Sequence, residues 1–192
     1  GQAMFNESLA EFVGGRGAIA FFCADRAEPS ADCEAARAAW ADELVFGAFL
    51  DGLVVELEAL YGRTELTYEQ KLAVREEVFT RARERFDAEV QPRMQPGSYG
   101  SFLRVPLNNA SLLSRRLYYH RLELFEEAFQ LMGGDLRRTM EVILASARAR
   151  EPAARQPAPV LRVDDRARGA GGPAGSPARS VRRRAPADLV RS

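Results

Sequence analysis

The stretch Met4-Phe5-Asn6-Glu7-Ser8-Leu9-Ala10-Glu11-Phe12 holds the side chains best placed for chemistry. Glu7 and Glu11 are four apart, so in a helix both carboxylates share one face, while Phe5, Leu9 and Phe12 turn the other side toward a core. A carboxylate at a core edge, with an amide beside it and a second carboxylate one turn on, suits a metal ligand with outer support. Glu7 is the carboxylate beside Asn6, and Glu11 is the second one turn on. Spacing alone favours a plainer reading, because acids at i and i+4 are common on solvated helix faces.

Further along, Tyr99 lies in Gly97-Ser98-Tyr99-Gly100-Ser101-Phe102, and Tyr118, Tyr119 and His120 are consecutive. A phenol or imidazole donor beside a reacting carbonyl can stabilise the charge that develops on its oxygen. Tyr99, Tyr119 and His120 are therefore the catalytic candidates; their plainer roles are an aromatic plug over the core and a structural histidine. Asn108 and Asn109 could hold a substrate backbone, although Asn109 reads more simply as a helix N-cap. Arg179, Arg182, Arg183, Arg184 and Arg191 suggest a polyanion partner, but no aromatic residue is interleaved for base stacking. A solvated tail is the better reading, and no nucleic-acid partner is expected. Cys23 and Cys33 either close a small loop or stay as two free thiols.

The elements that must position these groups all read as helices. The first carries Phe5, Leu9, Phe12 and Val13, with Gly14, Gly15 and Gly17 leaving room for another backbone. Ser30 caps a long helix from about Ala31 to Tyr61, with Trp40, Leu44, Leu50, Leu53, Leu57 and Leu60 as its stripe and Gly62 as its stop. Thr67 and Gln70 form a capping box for the next helix, which buries Tyr68, Leu72, Phe79, Phe86 and Val90 and runs antiparallel to its predecessor. Pro92 and Pro96 end it, and Gln95 to Leu107 reads as a loop. Helix resumes near Asn109, with Leu122, Phe125, Phe129 and Met132 as its later stripe. Asp135 then caps a last helix with Leu136, Met140 and Ile143 inward. No β alternation is sustained, so the fold class is all-α.

These stretches resemble a known family. FNESLAEFVG is similar to the second metal motif of the gluzincins, in which an HExxH helix gives two histidine ligands and a later Asn-Glu helix gives the third. ALYGRTELTYEQKLAVREEVFTRARERF, GSYGSF, VPLNNASL and LYYHRLELFEEAFQLMGGDL follow in the order of one bacterial branch, the predicted aminopeptidases. The resemblance covers about residues 1–145. It implies the helical C-terminal part of a zinc metallopeptidase acting on peptides, with Glu7 as third zinc ligand, Glu11 orienting a ligating histidine and Asn6 preceding the ligand as in the motif. It also suggests a bacterial cell-envelope location. The departure is severe: there is no HExxH, and His120 is the only histidine. Ligand counting therefore makes the chain inactive alone, its partner a missing N-terminal portion with HExxH. The start at Gly1, without methionine, reads as a truncation.

Composition separates body from tail. Nine arginines against four acids from Glu151 onward give the tail plus five, leaving minus five in the first 150 residues. The tail is rich in Pro, Ala, Gly and Arg and cannot bury enough apolar area to offset its ordering, so disorder is expected over 151–192 and a helical domain over 1–150. No apolar run is long enough to span a bilayer. The competing class for the whole chain is a non-catalytic helical interaction module whose acids are surface residues.

Overall fold

The computed structural model describes residues 2–24 and 29–149, and everything described in it is helix, turn or loop, with no strand. The expected tail, and the domain boundary beside it, lie outside the described residues. The helices are α1 (Gln2–Phe22), α2 (Ala31–Gly62), α3 (Tyr68–Arg85), a one-turn α4 (Ser101–Arg104), α5 (Asn109–Tyr119), α6 (Leu122–Leu131) and α7 (Leu136–Ala149). Among the described residues, no helix is long and apolar enough to cross a membrane.

Caps set most of the boundaries. The Ser30 hydroxyl accepts the Cys33 N–H at 3.2 Å, starting α2. Thr67 and Gln70 make the reciprocal pair that starts α3, at 3.3 and 2.8 Å. Asp135 accepts the Arg138 N–H at 3.0 Å at the head of α7. At α5 the cap is Asn108, which exchanges bonds with Ser111, and not Asn109, whose amide binds the Tyr61 hydroxyl at 2.8 Å. Gly62 is simply the last residue of α2, and Arg63 follows it in extended backbone.

α2 is the spine. Arg81 and Arg85 reach Glu56 at 3.3 and 3.5 Å while Lys71 reaches the Tyr61 carbonyl at 2.8 Å, so α3 descends as α2 rises. Phe46, Leu50 and Leu53 of α2 are fully enclosed with Phe79, Phe86 and Phe102. Each such side chain contributes about 1.5–3 kcal/mol by leaving water. Tyr68, expected in this stripe, instead stands 71% exposed at the first turn of α3, before the helices converge. Below Arg85 the chain widens into a π turn over Phe86–Val90 and tightens to a 3₁₀ turn over Gln91–Arg93, because Pro92 has no N–H to continue the ladder. A second core joins Leu9 and Phe12 of α1, Trp40 of α2, and Leu122 and Phe125 of α6, with α7 against it.

Two glycines permit close approach. A Cβ on Gly15 would stand 2.3 Å from the Trp40 ring, and one on Gly47 would stand 2.8 Å from the Tyr119 carbonyl oxygen. The backbone approach expected at the α1 glycines thus occurs on α2 instead. The helix expected to run on from Asn109 is also broken. Arg121 takes a left-handed conformation (φ 54) between α5 and α6. The cause is Asp51 of α2, whose carboxylate accepts the Arg121 N–H and holds His120 Nδ1, both at 2.8 Å. Those bonds offset the backbone strain at that junction. Cys23 and Cys33 are joined in a disulfide that ties the end of α1 to the start of α2.

Candidate active site at the seam of two cores

The arrangement starts from Asp42, buried on α2. Its carboxylate accepts the Gln95 backbone N–H at 3.2 Å, the Gln95 amide at 3.3 Å and the Ser98 hydroxyl at 2.6 Å. That clamp folds the 95–100 loop over the helix and lets Tyr99 adopt φ 54. The Tyr99 ring then stacks on Phe46 with centroids 4.0 Å apart, the core-plug role read from the sequence. Its edge meets Tyr119, centroids 5.7 Å apart and planes at 87°. Tyr119 packs against both cores, so the phenol pair sits at their seam.

Two carboxylates lie near enough for their charges to act on this pair. Glu11 of α1 is half-buried, and burial, then the charge of Glu7, raises its pKa. Glu43 of α2 is pushed up to about 7, first by burial and then by the negative charges of Glu11 and Asp42. Its Oε2 is buried with no hydrogen-bond partner among the described residues. The Tyr99 phenol is raised by burial, with Tyr119, Glu43 and Glu11 adding to the effect, and the Tyr119 phenol is raised chiefly by burial. Both phenols therefore keep their protons at neutral pH and remain donors. Glu11 and Glu43 also line an open cleft of about 230 Å³ between α1 and α2, whose walls are Ala10, Gly14, Gly15 and Trp40 among others. Beyond Trp40, Arg16 pairs with Glu126, which also accepts the Trp40 N–H at 3.1 Å.

The sequence candidates divide into two groups. Glu11, Tyr99 and Tyr119 are brought together. Asn6 and Glu7 lie at the exposed edge of α1, one turn before Glu11, with Glu7 near enough for its charge to raise the Glu11 pKa. The His120 ring follows Tyr119 but is turned away to Asp51, and the His120 backbone N–H donates to the Ser8 hydroxyl at 3.1 Å. Ser8 in turn donates to the Leu117 carbonyl at 3.0 Å, so the helix bearing Glu7 is stitched to the segment bearing Tyr119 and His120. Tyr118 is exposed.

Sequence reasoning passed over Glu43 and Asp51. Glu43 stands three residues from both Trp40 and Phe46, an acid inside an aromatic stripe, and that spacing was the available signal. Asp51 carries no such mark, since its partners lie about seventy residues away.

Among the described residues no group of three or more His, Cys, Asp or Glu side chains stands together to hold a metal. Glu7, Glu11 and Glu43 offer oxygen donors on two helices, but the imidazole nitrogens that zinc favours are missing beside them. What the site offers by itself is a pair of protonated phenols beside half-buried carboxyl groups at the edge of a cleft.

No curated protein and no solved structure matches the chain. A family model does. Over residues 1–157 the chain matches the family described as "Putative aminopeptidase", and it belongs to that family.

Proposed function

We propose that this chain carries the third metal ligand, Glu7, of a zinc-dependent aminopeptidase that acts on peptides. The observation that supports this reading best is the surface around Glu7. Glu7 and Asn6 are exposed on the side of α1 that also carries Ala10, Gly14 and Gly17, and nothing lies within 4 Å of where a Cβ would stand on either glycine. That small-residue surface is open to a further helix. Glu11, half-buried one turn on, would accept an N–H from a histidine held against Glu7.

The other two ligands and the general base would come from an HExxH segment outside these 192 residues, because the sequence has one histidine. That histidine is held by Asp51. Two histidines and Glu7 would leave one zinc position open, where bound water has its pKa lowered to about 7. The residues of this chain then contribute donors. Tyr99 and Tyr119, with their protons retained, are suited to an oxygen that becomes negative during attack on a peptide carbonyl. His120, held by Asp51 through Nδ1, would have only its other ring nitrogen to offer. By itself the chain is expected to be inactive and to hold zinc weakly.

The test uses the polypeptide in which an HExxH segment is joined to this one. Glu7→Ala should lose zinc and peptide hydrolysis together, since it removes one of three ligands. Glu11→Ala should keep the metal and lose about 10- to 100-fold in activity or affinity. Retained zinc in Glu7→Ala, or the larger loss in Glu11→Ala, would return the lead to a non-catalytic helical interaction module.

A further inference from the structure

α2 has a second open side, away from the cleft. Ala41, Leu44, Val45, Ala48, Gly52 and Val55 recur at helical spacing along it. Val55 is 63% exposed, and Ala41, Ala48 and Gly52 are exposed as well. Beside Leu44 and Val45 the surface dips into an apolar groove of about 420 Å³, bounded by Phe49, Val90 and Arg93. Gly52 is informative. It sits in mid-helix with nothing within 4 Å of its missing Cβ, so no contact among the described residues accounts for a glycine there.

We propose that this face is the interface of an antiparallel homodimer in which two α2 helices cross at Ala48. The occupant follows from the order of side chains along the stripe. Leu44 and Gly52 stand four residues either side of Ala48, and Ala41 and Val55 seven either side. A twofold axis at Ala48 therefore sets each Leu44 on the partner's Gly52 and each Val55 on the partner's Ala41, large against small. The charges agree. Arg37 and Glu58 flank the stripe at nearly equal distances from Ala48, eleven residues before it and ten after. Antiparallel pairing places Arg37 opposite Glu58, twice. Arg93 lies at the rim, where solvent and salt screen the repulsion between its two copies. An interface confined to this stripe falls at the small end of protein–protein contacts, where association is weak and reversible.

Sedimentation equilibrium of the 192-residue chain should give a reversible dimer in the micromolar range. Leu44→Glu and Gly52→Phe should each weaken it at least about 10-fold with helicity unchanged. The second variant keeps the test valid if the first disturbs folding, since Gly52 faces open space. Ala48→Cys, at the position that meets itself, should cross-link between chains under mild oxidation faster than Gly14→Cys on α1. A chain monomeric to about 300 μM, a dimer indifferent to both substitutions, or cross-linking no faster at Ala48 than at Gly14 would overturn the proposal.

Discussion

Replacing Glu43 by Gln should stabilise the fold at pH 8 and leave it nearly unchanged at pH 5. The carboxyl is raised from 4.5 to about 7 by burial and by the charges of Glu11 and Asp42. Between those values the folded state holds a proton that the unfolded state has released. Stability therefore falls as pH rises through the window, and the full loss is present above about pH 7. One pKa unit corresponds to about 1.4 kcal/mol, so the ceiling is roughly 3 kcal/mol. Glu43 keeps some contact with water, and screening lowers the expected effect to about 1–2 kcal/mol. Gln preserves the shape and removes the ionisation. Urea unfolding of both proteins at pH 5, 6, 7 and 8 measures it: the two midpoints should coincide at pH 5 and separate progressively, with the Glu43→Gln variant the more stable. A variant less stable at pH 8, or a gap that does not change with pH, would mean that Glu43 has a cationic or donor partner and is not the unpaired acid described.

Three further outcomes follow from the packing. Asp51→Asn should cost about 2 kcal/mol, because one carboxylate holds His120, the Arg121 N–H and, at 3.4 Å, Arg116; chemical denaturation and faster hydrogen exchange at Arg121 would register it. Gly15→Ala should destabilise by about 1–3 kcal/mol through collision with Trp40. Its neighbour Gly14→Ala, facing open space, should stabilise by up to about 1 kcal/mol, so the two melting temperatures should move in opposite directions. Cys33→Ser should lower stability by about 2–3 kcal/mol, the value for opening a loop closed over a separation of 10 residues, and wild type under reductant should fall to the same level.

Helix type, helix order and most caps were legible because they rest on local rules. Thr67 with Gln70, Ser30 with Cys33 and Asp135 with Arg138 act within three or four residues. The errors lie where distant groups intervene. Nothing near Tyr119 announces the break in the helix, because the carboxylate that causes it is on α2. Asn108 displaced Asn109 as the cap once Tyr61 took the Asn109 amide. Part of the candidate site was readable in the same sense: Glu11, Tyr99 and Tyr119 could be named from residue type, but their meeting depends on Asp42 folding the 95–100 loop. Glu43 is an acid at helical spacing among apolar residues, and its burial depends on packing that the local sequence does not state.

The place of Tyr119 between the two cores also bears on how the molecule breathes. A residue that packs on both clusters feels the opening of either one. Partial unfolding of the α1–α6 half would strip Tyr119 of its support and uncouple it from Tyr99, even while the α2–α3 half stayed closed. Amide protons of α5 should therefore exchange no more slowly than those of whichever half is weaker. The phenol pair should exist only in molecules where both halves are shut.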